Sequence, residues 1–247
     1  MQEVVSSATP TVSKPSGRLS RVVSRVQAES PSLAEFGVAL ISALLLVFSF
    51  PDFNLWPLAW FGLVPLIILI AVKPQSLRSF LLAWLFGSVF FYGSCYWLTY
   101  SMIHFGGIPA TLAYIMLAPG AVLLGIFPAL FGLALARTIK AWGLSAILLS
   151  PLVWAALEWL RLETTGQLWN ALGYSQAFHP NLIQAAGWGG VYAVSFIIIS
   201  VNAAVAFVVL KRTPRALASS SGVVLVAVLV IAGASVSRKT IQRTLTR

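Results

Sequence analysis

Glu158 and Arg161 stand three residues apart in the apolar run 151–161, PLVWAALEWLR. In a helix they share a face, with Trp154 in the same stripe. A carboxylate or guanidinium at the centre of a membrane helix costs about 2.5–3.5 kcal/mol, which makes such groups functional candidates by default. Three chemistries fit. The two form an ion pair at a helix end, reaching to water and bracing the next loop. They contact a substrate. Or Arg161 grips a lipid phosphate through paired hydrogen bonds.

The segment that follows, 163–190, is long and carries Glu163 as its only charge. Its marked residues are Gly166, Trp169, Asn170, Gly173, Tyr174, Ser175 and His179. Trp and Tyr favour the membrane–water interface because one end is apolar and the other wet. The segment therefore reads as a loop or short helices in the outer interface, folded over a helix bundle, and equally as an ordinary aromatic belt. Asn202, inside a later apolar run, predicts an interhelical hydrogen bond. His104 reads as a wet interfacial residue, and Cys95, among apolar neighbours, as an inert thiol. No His, Cys and carboxylate cluster has metal-ligand spacing, no Gly-rich phosphate loop ends in Lys, and no Gly-x-Ser-x-Gly elbow is present.

These residues need apolar elements to hold them. The 247-residue chain is 59% hydrophobic and 9% charged, whereas soluble domains carry about 25% charged residues. The expected fold is an all-α integral membrane protein of about seven transmembrane helices, since a span needs about 20 apolar residues. Charges, Pro and Gly bound them at about 33–50, 55–72, 80–100, 110–135, 144–162, 191–210 and 219–235. The break between the third and fourth falls at residues 104–109, HFGGIP. Residues 1–32 form a disordered basic tail, 33–237 the polytopic domain and 238–247 a basic C-terminal tail.

The net charge is +10. The bases cluster between apolar segments, which points to topology and anionic lipid headgroups rather than nucleic acid. With the N-terminus cytoplasmic, the inner regions are the tail, 73–78, 137–140 and 211–215, each with Lys or Arg. The outer loops 51–54, 101–109 and 163–190 have none. The long outer interfacial loop thus joins predicted helices five and six. Seven spans put the C-terminus outside, where Arg238, Lys239, Arg243 and Arg247 run against the rule, so six or eight spans, or a polypeptide that continues outside, stay open.

In this frame the chain resembles the membrane part of apolipoprotein N-acyltransferase. The matching pieces are 48–51 FSFP with Trp56-Pro57, Tyr96-Trp97, 105–109 FGGIP, 151–154 PLVW and 158–161 EWLR. Further on come 166–169, 172–176 LGYSQ, Ile183-Gln184, 190–192 GVY and Ser195-Phe196. Their order and spacing cover about residues 33–210. Gln167-Leu168 departs from the family's Phe-Pro before Trp169.

The resemblance implies a multi-pass protein of the bacterial cytoplasmic (inner) membrane, in lipoprotein maturation. The family moves an acyl chain from a phospholipid to the α-amino group of the diacylglyceryl-cysteine of an apolipoprotein. Its Glu, Lys and Cys catalytic groups lie in an outer nitrilase-like domain after the seventh helix. This chain is expected to stop where that domain begins. No catalytic residue, metal or cofactor is therefore assigned, and acyl transfer is expected to need a nitrilase-like domain in trans. The candidate substrate-binding residues are Glu158, Arg161, Trp169 and Tyr174, with Gly106 and Gly107 of the glycine turn. The partners expected are a phospholipid acyl donor, an apolipoprotein and membrane lipids. One alternative is a non-catalytic lipid-binding or scaffold protein of the same descent. A small transporter using Glu158, Arg161 and Asn202 is disfavoured by the lack of an inverted repeat.

Overall fold

The computed structural model describes residues 30–214 together with 218, 222 and 225, and among these every regular element is helical. Residues 1–29 of the first tail, the whole of the last tail and most of the predicted seventh helix lie outside the described residues. Four helical stretches are long and apolar enough to cross a membrane: 76–94, 110–142, 144–165 and 183–211. Two shorter apolar ones, 33–49 and 56–72, stand beside them. These six correspond to the first six of the seven segments bounded from the sequence, with local differences.

Helix α1, Leu33–Ser49, starts where Ser32 caps it. The Ser32 hydroxyl accepts the Glu35 N–H and the Glu35 carboxylate accepts the Ser32 N–H. Its buried stripe, Ala39, Ser42, Ala43, Leu46 and Val47, follows helical spacing. The second segment is not one helix. A 3-10 turn, Trp56–Trp60, and the nine-residue α2, Val64–Val72, replace it. Pro57 and Pro65 each begin a new element, and Gly62 sits where a Cβ would come within 2.6 Å of Leu46 Cδ2.

Such irregular backbone is tolerated at membrane depth only when protein groups satisfy it. Asn202 does so. Its Oδ1 accepts Leu63 N–H at 2.9 Å, and its Nδ2 donates to Ala59 O and Ile198 O at 2.9 Å each. The interhelical bond expected of Asn202 is present, but its partners are the backbone of a break rather than a side chain. The Ser42 hydroxyl donates to Gly62 O beside it.

The third predicted helix divides into α3, Ser76–Ser94, and α4, Leu98–His104, around Cys95. The fourth divides at Gly125 into α5, Ala110–Leu124, and α6, Ile126–Trp142, which form a nearly continuous 33-residue rod. The rod outruns the predicted end at 135. Arg137 and Lys140, expected in a loop, occupy the last turns of α6, where cations complement the helix C-terminus. Gly143, at φ 76°, is the actual stop. Helices α3 and α6 run antiparallel in close contact. A Cβ on Gly132 would fall 2.6 Å from both Ala83 Cβ and Ser79 O, and one on Gly87 would meet Pro128. A 3-10 turn, Leu144–Leu149, leads into α7, Ser150–Thr165. Helix α8, Ala186–Lys211, follows the connection after α7 and is kinked at Gly189 and Gly190.

One end of the bundle is basic and is tied by Arg78, which is 1% exposed. Its Nη2 and Nε reach Glu35 Oε1 at 2.6 and 3.1 Å, and its Nη1 donates to Leu69 O and Lys73 O at 3.1 and 2.8 Å. The guanidinium thus closes the open carbonyl end of α2. In the sequence Arg78 marks only the charged boundary of an apolar segment. The opposite end carries the aromatic residues of the connection between α7 and α8.

Replacing Asn202 by Ala leaves Leu63 N–H and Ala59 O without partners. The expected loss is about 1–3 kcal/mol of stability, read as a lowered unfolding midpoint in detergent. An unchanged midpoint would remove Asn202 from its clamping role.

Candidate functional site

Trp154, Glu158 and Arg161 do share one face of α7, and all three are buried. Glu158 is 5% and Arg161 3% exposed, so neither reaches water. Nor do they form an ion pair: among the described residues the charge pair within 4 Å is Arg78–Glu35. Each turns instead to the chain that follows. Glu158 Oε1 accepts Trp154 Nε1–H at 3.0 Å and Leu172 N–H at 2.8 Å. Arg161 Nη1 donates to Trp169 O at 2.5 Å, and its guanidinium lies 4.9 Å from the Phe91 ring centroid. The two charges brace the connection, as one of the sequence alternatives held, but from inside the bundle.

The connection is shaped by a few local decisions. Gly166 ends α7 in the left-handed conformation, φ 66°. Asn170 takes φ 54°, a region that Asn tolerates better than most residues. A 3-10 turn, Leu172–Gln176, follows, and a short one at Ile183–Ala185 precedes α8. Gly173 is required by contact, since a Cβ there would sit 2.7 Å from Val191 O. Its N–H donates to Ser195 Oγ at 2.9 Å. The side chain of Gln176, fully buried, accepts from Trp60 Nε1 at 3.3 Å and donates to Trp56 O at 3.2 Å. Residues 169–176 are therefore pinned to α7, α8 and the Trp56–Trp60 turn.

The pinned segment floors an open cleft of about 490 Å³. Trp97 and Trp169 form an edge-to-face pair with centroids 5.6 Å apart. Tyr174, Phe50, Ser94 and Asn170 complete most of the wall, and Asp52 is the charged residue at its rim. Trp169 and Tyr174 remain 41% and 44% exposed, so their rings are open to a ligand. Beneath lies a smaller cavity of about 20 Å³, bounded by Phe91, Trp154, Glu158 and Arg161, with room for about one water molecule. Asn170 borders both spaces, and its Nδ2 lies 3.2 Å from the buried Cys95 Sγ.

Four predicted site residues thus converge, Trp169 and Tyr174 on the cleft and Glu158 and Arg161 beneath it. Gly106 and Gly107 do not line either space. They form the turn between α4 and α5, where Gly107 takes φ 63° and Phe105 is 84% exposed. Sequence reasoning gave no role at the site to Asp52, which reads as a helix stop, or to the fully buried side chain of Gln176. Among the described residues no three His, Cys, Asp or Glu side chains are placed to hold a metal ion.

The cleft and its braces lie almost entirely within the stretch that matches a known family. The model of the apolipoprotein N-acyltransferase N-terminal domain covers residues 42–204. The chain belongs to the apolipoprotein N-acyltransferase family. Family members named as apolipoprotein N-acyltransferase match it at modest identity. The protein of Geobacter metallireducens is 33% identical over 186 residues, 75% of this chain and 34% of that protein. The Coxiella burnetii protein is 32% identical over 183 residues, 71% of this chain and 36% of its own length. The Vibrio cholerae protein is 33% identical over 167 residues, with 66% and 32% covered. The chain thus spans about a third of the length of these acyltransferases.

Glu158→Leu removes the acceptor of the Leu172 N–H while filling much of the same space. The Leu172 amide is then expected to exchange hydrogen roughly 5- to 150-fold faster, the equivalent of about 1–3 kcal/mol. Amides in the middle of α8 serve as the internal reference. Equal exchange at Leu172 in both proteins would show that the carboxylate does not hold the segment.

Proposed function

We propose that this chain is the membrane domain of an apolipoprotein N-acyltransferase-like protein in the bacterial inner membrane. It binds a phospholipid acyl donor and an apolipoprotein in the aromatic cleft for N-acylation of the diacylglyceryl-cysteine. The orientation that follows from the Lys and Arg bias puts the basic end in the cytoplasm and the cleft on the outer side. The observation that carries the proposal is the open cleft over the pinned 169–176 segment, where Phe50, Trp97, Leu168, Trp169 and Tyr174 offer apolar surface beside the polar groups of Asp52, Ser94, Gln167 and Asn170.

The cleft-lining residues include no Cys and no Lys. The acyl-transfer chemistry is therefore assigned to a nitrilase-like domain acting in trans or continuing the polypeptide. Glu158 and Arg161 are positioning residues in this scheme, holding Trp169 and Leu172 from below. The competing function, a lipid-binding or scaffold module without turnover, uses the same cleft and differs only in needing no catalytic partner.

The test is complementation of an acyltransferase-deficient bacterium, read as the mass of a mature lipoprotein. Co-expression of this chain with a nitrilase-like domain is expected to restore N-acylation, and neither piece alone is. Trp169→Ala is expected to weaken lipid binding by about 2 kcal/mol, as loss of a central aromatic anchor does, and to lower acylation with it. N-acylation by the chain alone would eliminate the partner. Failure of every pairing, with lipid binding intact, would favour the non-catalytic module.

A further inference from the structure

We propose that the cleft reads the ammonium end of a zwitterionic phospholipid headgroup, and that Asp52 is the residue that selects it. The inference rests on the cleft being a phospholipid site and adds which headgroups it takes. Asp52 is the charged side chain among those lining the cleft. It is exposed, and among the described residues it forms no hydrogen bond and no ion pair. A tight turn places it there. After α1 ends, the N–H groups of Phe53 and Asn54 both donate to Phe50 O, at 3.0 and 2.7 Å, which sets Asp52 between α1 and the Trp56–Trp60 turn. The other walls suit a cation. The Trp97 and Trp169 rings stand at 76° to each other, two sides of a corner, and Tyr174 borders the same space. All three rings are partly open, Trp97 being 40% exposed. A cation within about 6 Å of a ring centroid is attracted by the ring's quadrupole, most strongly by Trp. A carboxylate beside such rings supplies the opposite charge.

The cleft also has a donor for the phosphate, which in these lipids lies a short carbon link from the ammonium. Gln167 is exposed, and its side-chain amide makes no hydrogen bond among the described residues. Its N–H groups remain to donate to a phosphate oxygen. The lining residues include no Lys or Arg. Arg161 lies beneath the floor, with its Nη1 bonded to Trp169 O. An anionic headgroup without an ammonium therefore meets Asp52 with no compensating base in the wall. A zwitterionic headgroup brings a cation to Asp52 and the rings and an anion to the Gln167 amide. The ammonium has two sources, the primary one of ethanolamine and the quaternary one of choline. A phospholipid is chosen over the amine of a lipopeptide because that amine brings no phosphate for Gln167. The surrounding Trp and Tyr residues also put the cleft at headgroup depth.

The full chain, purified in mild detergent, is titrated separately with the dioleoyl forms of phosphatidylethanolamine, phosphatidylcholine and phosphatidylglycerol, and bound lipid is counted by native mass spectrometry. Phosphatidylethanolamine is expected to be retained roughly three- to fivefold more strongly than phosphatidylglycerol. Equal retention of phosphatidylcholine would assign the site to any ammonium, and its loss would assign it to the primary one. Asp52→Asn should abolish the preference over phosphatidylglycerol, and Asp52→Glu should keep it. Gln167→Ala should weaken all three lipids alike, since each carries the phosphate. The unfolding midpoint of Asp52→Asn is expected to match the parent, because the side chain is exposed and unbonded. An unchanged preference in Asp52→Asn would overturn the proposal. If Trp169→Ala still weakens all three lipids in that case, the cleft remains a lipid site and only the ammonium assignment falls. If Trp169→Ala also changes nothing, the reading of the cleft itself falls. Displacement of bound phosphatidylethanolamine by a diacylglyceryl-cysteine peptide, but not by its N-acetylated form, would overturn the assignment to a lipid.

Discussion

Hydrocarbon offers no hydrogen bonds, so backbone outside a regular helix must find its partners within the protein. This chain leaves the helix often: at Trp56–Trp60 and Gly62, around Cys95, and through the long connection from Gly166 to Ile183. At the main breaks a buried polar side chain takes up the loose groups. Asn202 serves Ala59 and Leu63, Arg78 the carbonyl end of α2, and Glu158, Ser195 and Arg161 the segment carrying Trp169. The few buried charges and amides in a chain that is 9% charged are thus mostly backbone partners. That role also fixes the cleft, since an open pocket keeps its shape only if its floor is tied.

Much of this was legible from residue types. The apolar segments, the turn at 104–109, the shared face of Glu158 and Arg161 and the hydrogen-bonding task of Asn202 follow from hydropathy, glycine and helical spacing. What stayed hidden is where each polar group finds its partner. Spacing of three puts Glu158 and Arg161 on one face, and an ion pair is the local solution. The observed partners, Leu172 and Trp169, lie in a loop whose return path no periodicity encodes. From sequence Arg137 and Lys140 read as loop residues because charge marks a boundary of the hydrocarbon. Charge does not mark the end of a helix, which Gly143 supplies. Asp52 lacks any pattern of its own and acquires a place at the cleft only when α1 ends beside residues 167–174.

The two charged residues of α7 also show why burial alone does not identify catalysis. Glu158 and Arg161 have the depth expected of an active-site acid and base, yet their strongest contacts are with main-chain atoms. The residues with free faces toward the cleft include the aromatic Trp169 and Tyr174, with Asp52 and Gln167 as polar neighbours. Binding and positioning are thus largely separated: open rings above, and below them polar bonds that leave Glu158 Oε2 buried and unpaired.

The α5–α6 rod raises a different matter. Thirty-three helical residues extend about 50 Å, against a hydrocarbon core of about 30 Å. Even the portion before Arg137 exceeds that thickness. A stretch so mismatched leans from the bilayer normal, bends at the Gly125 break or at Pro119 inside α5, or thickens the lipid around it, and each response has an elastic cost. Because α6 is locked to α3 through Gly132 and Gly87, the lean is shared with the rest of the bundle. The tilt of the whole molecule, and with it the height of its aromatic mouth above the lipid, is therefore coupled to the thickness of the membrane around it.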